Sequence, residues 1–186
     1  MRKPDQITID RALLVSLLHL AEPHGLLNDV KLQQLAFLCE LQMFNKGVKG
    51  LHCEFFRYAY GAFSKDLDND LMSLRRKERV ENFSVSEEAQ EVVGLLQEAS
   101  KGIETNEQVL GILEAVVTNY ASQDTGAITS SVEAVELSTP EQPDFKLAIR
   151  DISFHTTLLV PHRIEVKGEF TVPPAVLAKL NAAMGY

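Results

Sequence analysis

The side chains able to do chemistry are few, and their spacing decides what they can do. His52, Cys53 and Glu54 stand in a row as three candidate metal ligands or acid–base groups. Consecutive residues point in different directions in either helix or strand, so such a triplet rarely closes on one ion. Neither Cys39 nor Cys53 has a CxxC partner, and no carboxylate or cysteine pattern accompanies His19 or His24. Those two read as a helix-face and a loop histidine. The run Lys46-Gly47-Val48-Lys49-Gly50 lacks the spacing and the Ser/Thr of a phosphate loop, so it reads as a flexible connection. No HExxH, dinucleotide glycine pattern or GxSxG occurs. The expectation is a chain without metal, cofactor or catalytic residues, and so not an enzyme.

Composition sets the outer limits. The 186 residues suit one domain or one domain with an appendage, and 45% hydrophobic against 24% charged residues can build a sizeable core. The formal charge of −8 argues against nucleic-acid binding over the whole surface. One basic cluster stands out, Arg75-Arg76-Lys77-Glu78-Arg79. It reads either as a helix C-terminus, where the dipole favours cations, or as a contact for DNA or a partner through Arg75, Arg76 and Lys77. No apolar run approaches the roughly 20 residues of a membrane span, and Asp10 and Arg11 interrupt any signal-type stretch. With two cysteines and no export signal, free thiols in a reducing cytoplasm are expected.

The elements that position these residues are organised around Phe55-Phe56-Arg57-Tyr58-Ala59-Tyr60-Gly61-Ala62-Phe63-Ser64. Two of the four tyrosines and three of the nine phenylalanines fall there. Aromatics bury large areas, so a core is expected here, with Tyr58, Tyr60 and Phe63 packed on the helix carrying Leu35 and Phe37. Gly61 marks a sharp turn, and Ser64 caps the helix carrying Leu67, Leu71 and Leu74. Helical spacing with capping residues predicts helices at about 10–21, 30–45, 65–77, 86–99 and 106–121. Their caps are read as Asp10, Asn28 or Asp29, Ser64, Ser84 or Ser86, and Asn106, and Asp124 begins a shorter helix with Ile128 and Val132. The second helix is apolar nearly all round, which makes it central, with Cys39 a small core residue.

Past residue 137 the pattern changes. Two prolines among polar residues make 138–144 a linker. Ile152, Phe154, Leu158 and Val160 then alternate with mostly polar neighbours, as do Ile164, Val166, Phe170 and Val172, with Pro161-His162 suited to the turn between them. Pro173-Pro174 starts a last helix. The predicted fold is mainly α: a multi-helix bundle with a short β element over residues 1–137, then a β-hairpin and helix over 145–186. A lone hairpin is marginal in water, and unpaired edges invite another chain. The tail is therefore expected to carry an intermolecular contact, most simply with a second copy.

Two pieces together resemble a known family. Lys31-Leu32-Gln33-Gln34-Leu35-Ala36-Phe37-Leu38 resembles the "KLQKLLYF" helix of the Panacea domain, also called SocA-like or GepA-like and phage-associated. Phe56 to Ser64 resembles that family's aromatic "yGPfs" turn in its YwgA-like version, with Ala62 where the family has Pro. The likeness covers roughly residues 10–137. It implies a non-catalytic protein, an antitoxin that neutralises a neighbouring toxin by binding it. Lys31, Gln34, Phe37, Tyr58, Tyr60, Gly61, Phe63 and Ser64 are then the candidate partner-binding residues. A second piece, Val166 to Pro173 followed by a helix, resembles half of an AbrB-type swapped hairpin and implies DNA binding, with Arg163 and Lys167 as contacts.

Overall fold

A computed structural model describes all 186 residues. Its centre is built by the two helices richest in apolar residues. Helix α1 (Pro4–Ala21) buries nearly everything from Thr8 to Leu18, and α2 (Asp29–Asn45) buries every residue from Lys31 to Glu40. Both pack on α5 (Glu104–Tyr120), which joins them into one core. Around them in chain order lie strands β1 (Val48–Lys49), β2 (Phe55–Tyr58) and β3 (Gly61–Phe63), helix α3 (Lys65–Arg76), and strands β4 (Val80–Glu81) and β5 (Ser84–Val85). Helices α4 (Glu87–Ser100) and α6 (Thr125–Glu133) flank α5 in sequence. The chain ends with β6 (Glu136–Thr139), β7 (Gln142–Ala148), β8 (Thr157–Leu159), β9 (Gly168–Glu169) and α7 (Pro174–Ala183). The fold is thus mainly α with short strands and a C-terminal helix. No helix is long and apolar enough to cross a membrane.

Local signals set most helix boundaries. Ser64, Ser86, Asn28 and Asp124 each accept a hydrogen bond from a first-turn amide, as N-caps do. Two expected caps are corrected. Asp10 lies inside α1 and is 2% exposed, because Pro4 starts the helix six residues earlier. Proline fits a first turn, where its missing N–H is no loss. Asn106 is buried inside α5, where its amide donates to Thr171 O (2.8 Å) and accepts from Thr171 N (3.2 Å). Both side chains left the capping role for longer-range partners.

The tail is corrected more deeply. Residues 138–144 are no linker, because β6 and β7 pair as an antiparallel hairpin with Pro140 and Glu141 in its turn. Proline presets the backbone angle that the first turn position needs, so here it punctuates a hairpin. The register shifts between Leu137 and Thr139, a bulge that interrupts the ladder. The two strands expected to pair with each other do not. β8 joins β2 (Phe55↔Leu159) to complete a three-stranded sheet ordered β3-β2-β8, and β9 runs parallel to β1 (Val48↔Gly168). Pairing with the body lets Phe170, Leu180 and Met184 enter the main core, each 0% exposed. Each of these two strands therefore has one edge paired within the chain, while β8 remains the outer strand of its sheet.

Candidate functional site

The aromatic stretch forms a tight hairpin, β2 to β3, with Tyr58 paired to Gly61. Two glutamines of α2 hold its outer edge. Gln34 Nε2 donates to Tyr60 O (2.8 Å) and Ala62 O (3.1 Å), and Gln34 Oε1 accepts from Ala62 N (3.0 Å). Gln33 does the same one register further along, giving to Ser64 O (3.1 Å) and accepting from Ser64 N (2.8 Å). A side-chain amide carries the same donor and acceptor as a peptide group, so the pair stands where a neighbouring strand would. The edge is closed without a strand. Gly61 is required twice over, since its φ of +80° belongs to glycine and an added Cβ would lie 2.4 Å from Gln34 Oε1.

Arg57 supports the hairpin from the side of β2. Its guanidinium donates to Tyr58 O and to Gly61 O (3.3 Å), lies 3.4 Å from Glu133, and stacks on Phe154 at 5.1 Å. The result is a fixed turn with an aromatic outer face. Tyr58 is 46% exposed, Tyr60 60% and Phe154 61%. Tyr58 also meets the rings of Phe63 (5.3 Å) and His155 (6.4 Å).

This placement divides the candidate residues. Lys31, Gln34, Phe37, Gly61 and Ser64 are buried and contribute to the scaffold. Tyr58 and Tyr60 reach the surface, and Phe63 is half-buried. The expected packing of Tyr58 and Tyr60 on α2 is corrected, because both rings are exposed and Phe55 is the ring that meets Phe37, edge-on at 5.4 Å. Half-buried Phe63 lies in β3, which packs on α2. β-strand alternation sends Phe55 inward and Tyr58 outward. The basic cluster is largely engaged inside the molecule. Arg75 stacks on Phe83 and donates to Asn82 O, Lys77 lies over the Tyr186 ring, and Arg79 donates to Ala183 O (2.9 Å). Arg76, Arg163 and Lys167 are exposed.

A charged cluster went unseen in the sequence. His52 Nδ1 lies 2.8 Å from Asp10 Oδ1, and His52 Nε2 lies 2.6 Å from Glu169 Oε1. Arg2 joins Asp10 (2.9 Å) to Asp70 (2.6 Å), and Arg11 holds the other oxygen of Asp70 (2.9 Å). Burial alone would lower the His52 pKa, but the two carboxylates outweigh it and raise it above the ordinary histidine value. Burial would raise Glu169, yet the hydrogen bond and charge of His52 bring it below the ordinary carboxylate range. With both ring nitrogens facing carboxylates, the protonated His52 ring can donate to Asp10 and Glu169 at once, which ties α1 to β9. Burial pushes the neighbouring Cys53 thiol up, which keeps it a poor nucleophile. The third member of the row, Glu54, lies 4.0 Å from His162. A cavity of about 260 Å3 opens beside the cluster, lined by Arg2, Lys49, His52, Glu54, Asp66 and His162 among others. Asp10 and Asp70 had a readable signal, since each interrupts an otherwise apolar helix face.

No known protein family, curated protein or solved structure matches the chain.

Proposed function

We propose that the chain is a non-catalytic protein-binding module of antitoxin type, acting in the cytoplasm on a toxin encoded nearby. The observation that carries this reading is the aromatic face of Tyr58, Tyr60 and Phe154, exposed above a turn fixed by Gln34 and Arg57. Aromatic side chains dominate the energetics of protein interfaces, and a face already held rigid loses little entropy on binding. The likeness of Lys31–Leu38 and Phe56–Ser64 to the Panacea domain points the same way. So does the net charge of −8, which draws a basic partner. The DNA-binding alternative has less support, because β9 pairs with β1 and most of the basic cluster has intramolecular partners.

Co-expression with the neighbouring gene tests the reading. Rescue of growth and a stable complex on size exclusion are the expected results. Tyr58→Ala, Tyr60→Ala and Phe154→Ala should each weaken that complex, together by about 2 kcal/mol or more, with the unfolding midpoint nearly unchanged. A complex indifferent to all three substitutions overturns the assignment of the surface. A promoter fragment bound without any protein partner, and lost in Arg163→Ala with Lys167→Ala, would favour the DNA reading instead.

A further inference from the structure

A groove of about 800 Å3 runs between the loop that leaves α1 and the β4–β5 hairpin. It is formed by elements other than those of the aromatic turn. Leu26, Leu27 and Phe83 supply its apolar surface, and Glu22, Glu81 and Ser84 its polar one. Leu26 is 95% exposed, more than any large apolar side chain except Met1. Beside Leu27 and Phe83, this leucine leaves apolar surface open to solvent at the groove.

The walls are already in place. Ser84 Oγ donates to Glu22 Oε1 across the groove (2.9 Å), which links one wall to the other. Arg75 holds the hairpin from behind, stacked on Phe83 at 4.8 Å and donating to Asn82 O (2.6 and 2.9 Å). Gly25, at φ +119°, ends the turn Glu22–His24 and begins the excursion that carries Leu26. A groove held by its own contacts needs little reorganisation to take a ligand.

Charge selects the occupant. Glu22 and Glu81 line the groove, no Lys, Arg or His lines it, and neither carboxylate forms an ion pair within the chain. Apolar surface beside two carboxylates that lack an ion-pair partner is complementary to a segment carrying both a cation and an apolar anchor. We infer that this groove docks a short segment of another protein, with a leucine-sized side chain against Leu26 and Phe83 and an arginine or lysine against Glu22 and Glu81. It is a second contact, separate from the aromatic face, and it does not depend on that face being an interface.

Fluorescence anisotropy on the full chain tests it, using a labelled peptide of about twelve residues that alternates arginine and leucine. Two controls replace Arg by Glu, or Leu by Ser. The Arg–Leu peptide should bind saturably and the controls should not. Glu22→Gln with Glu81→Gln should weaken binding at least about fivefold and remove much of its salt dependence. Leu26→Ser should weaken it too, whereas Tyr60→Ala should leave it unchanged. All three substituted groove side chains are exposed, so circular dichroism should read as for the unsubstituted chain. No saturable binding, or equal binding of the Glu control, overturns the proposal. So does a groove variant that binds like the unsubstituted chain. Self-association lost on Leu26→Ser would give the groove to a second copy and overturn it as well.

Discussion

Gln34 is the residue whose loss should be felt furthest beyond its size. Its one amide group meets Tyr60 O, Ala62 O and Ala62 N, and it also donates to Val30 O in its own helix. Gln34→Ala leaves the edge of β3 without these partners. Each buried group left unpaired costs about 1–3 kcal/mol, less where water can enter near the exposed Tyr60, so a total loss of about 2–4 kcal/mol is expected. Gln34→Glu should fare no better, since a carboxylate has no N–H to give to the carbonyls of Tyr60 and Ala62. Urea denaturation reads both, and a loss under about 1 kcal/mol for Gln34→Ala would mean the turn holds itself. The rings separate in the same way. Phe55→Ala empties the contact with Phe37 at the centre of the core and should cost about 3–5 kcal/mol, while half-buried Phe63→Ala should cost clearly less.

At the scale of elements, the His52 tie makes stability depend on pH in a fixed direction. Its folded pKa is raised, so its contribution is complete below the unfolded histidine value and fades as pH rises through the folded one. Glu169 is lowered, so its contribution is present above the unfolded carboxylate value and fades as pH falls through the folded one. The tie between α1 and β9 should therefore be strongest at mildly acidic pH, between those limits. Glu169→Gln should flatten the stability profile on both sides of that range, as followed by urea midpoints from pH 4 to 9. An unchanged profile would show that Asp10 alone accounts for the histidine. Elements of this kind were legible in the sequence to unequal degrees. Helices were readable because cap and period are local, as at Ser64 and Asp124. The pairing of β9 with β1 was not, since alternation announces a strand without naming its neighbour over so long a separation. Asp10 misled because a local rule for caps competed with a partner 42 residues away. Of the candidate surface, the aromatic run was readable but the exposure of Tyr58 and Tyr60 was not, since both rings were expected to pack on α2. Phe154 was assigned to a hairpin, and the groove at Leu26 is made by loops with no period at all.

For the whole molecule the deciding fact is that one core cluster runs from Ile9 to Met184. The tail does not ride on a finished domain. Phe170, Leu180 and Met184 are each 0% exposed, α7 packs on α1 and α4, and Asn106 in α5 depends on Thr171 for both its hydrogen bonds. Losing a buried Leu, Met or Phe typically costs about 2–5 kcal/mol, and a whole domain is stable by only about 5–15 kcal/mol. Removing the three together, along with the partners of His52 and Asn106, approaches or exceeds that margin. Deleting residues 168–186 should therefore abolish cooperative unfolding and leave an aggregating chain with reduced helical signal. Circular dichroism with light scattering reads the outcome. A truncated chain that stays monomeric, keeps its helical signal and unfolds in one transition would show that the helices fold without the tail. The last strand and helix would then be free to serve another surface.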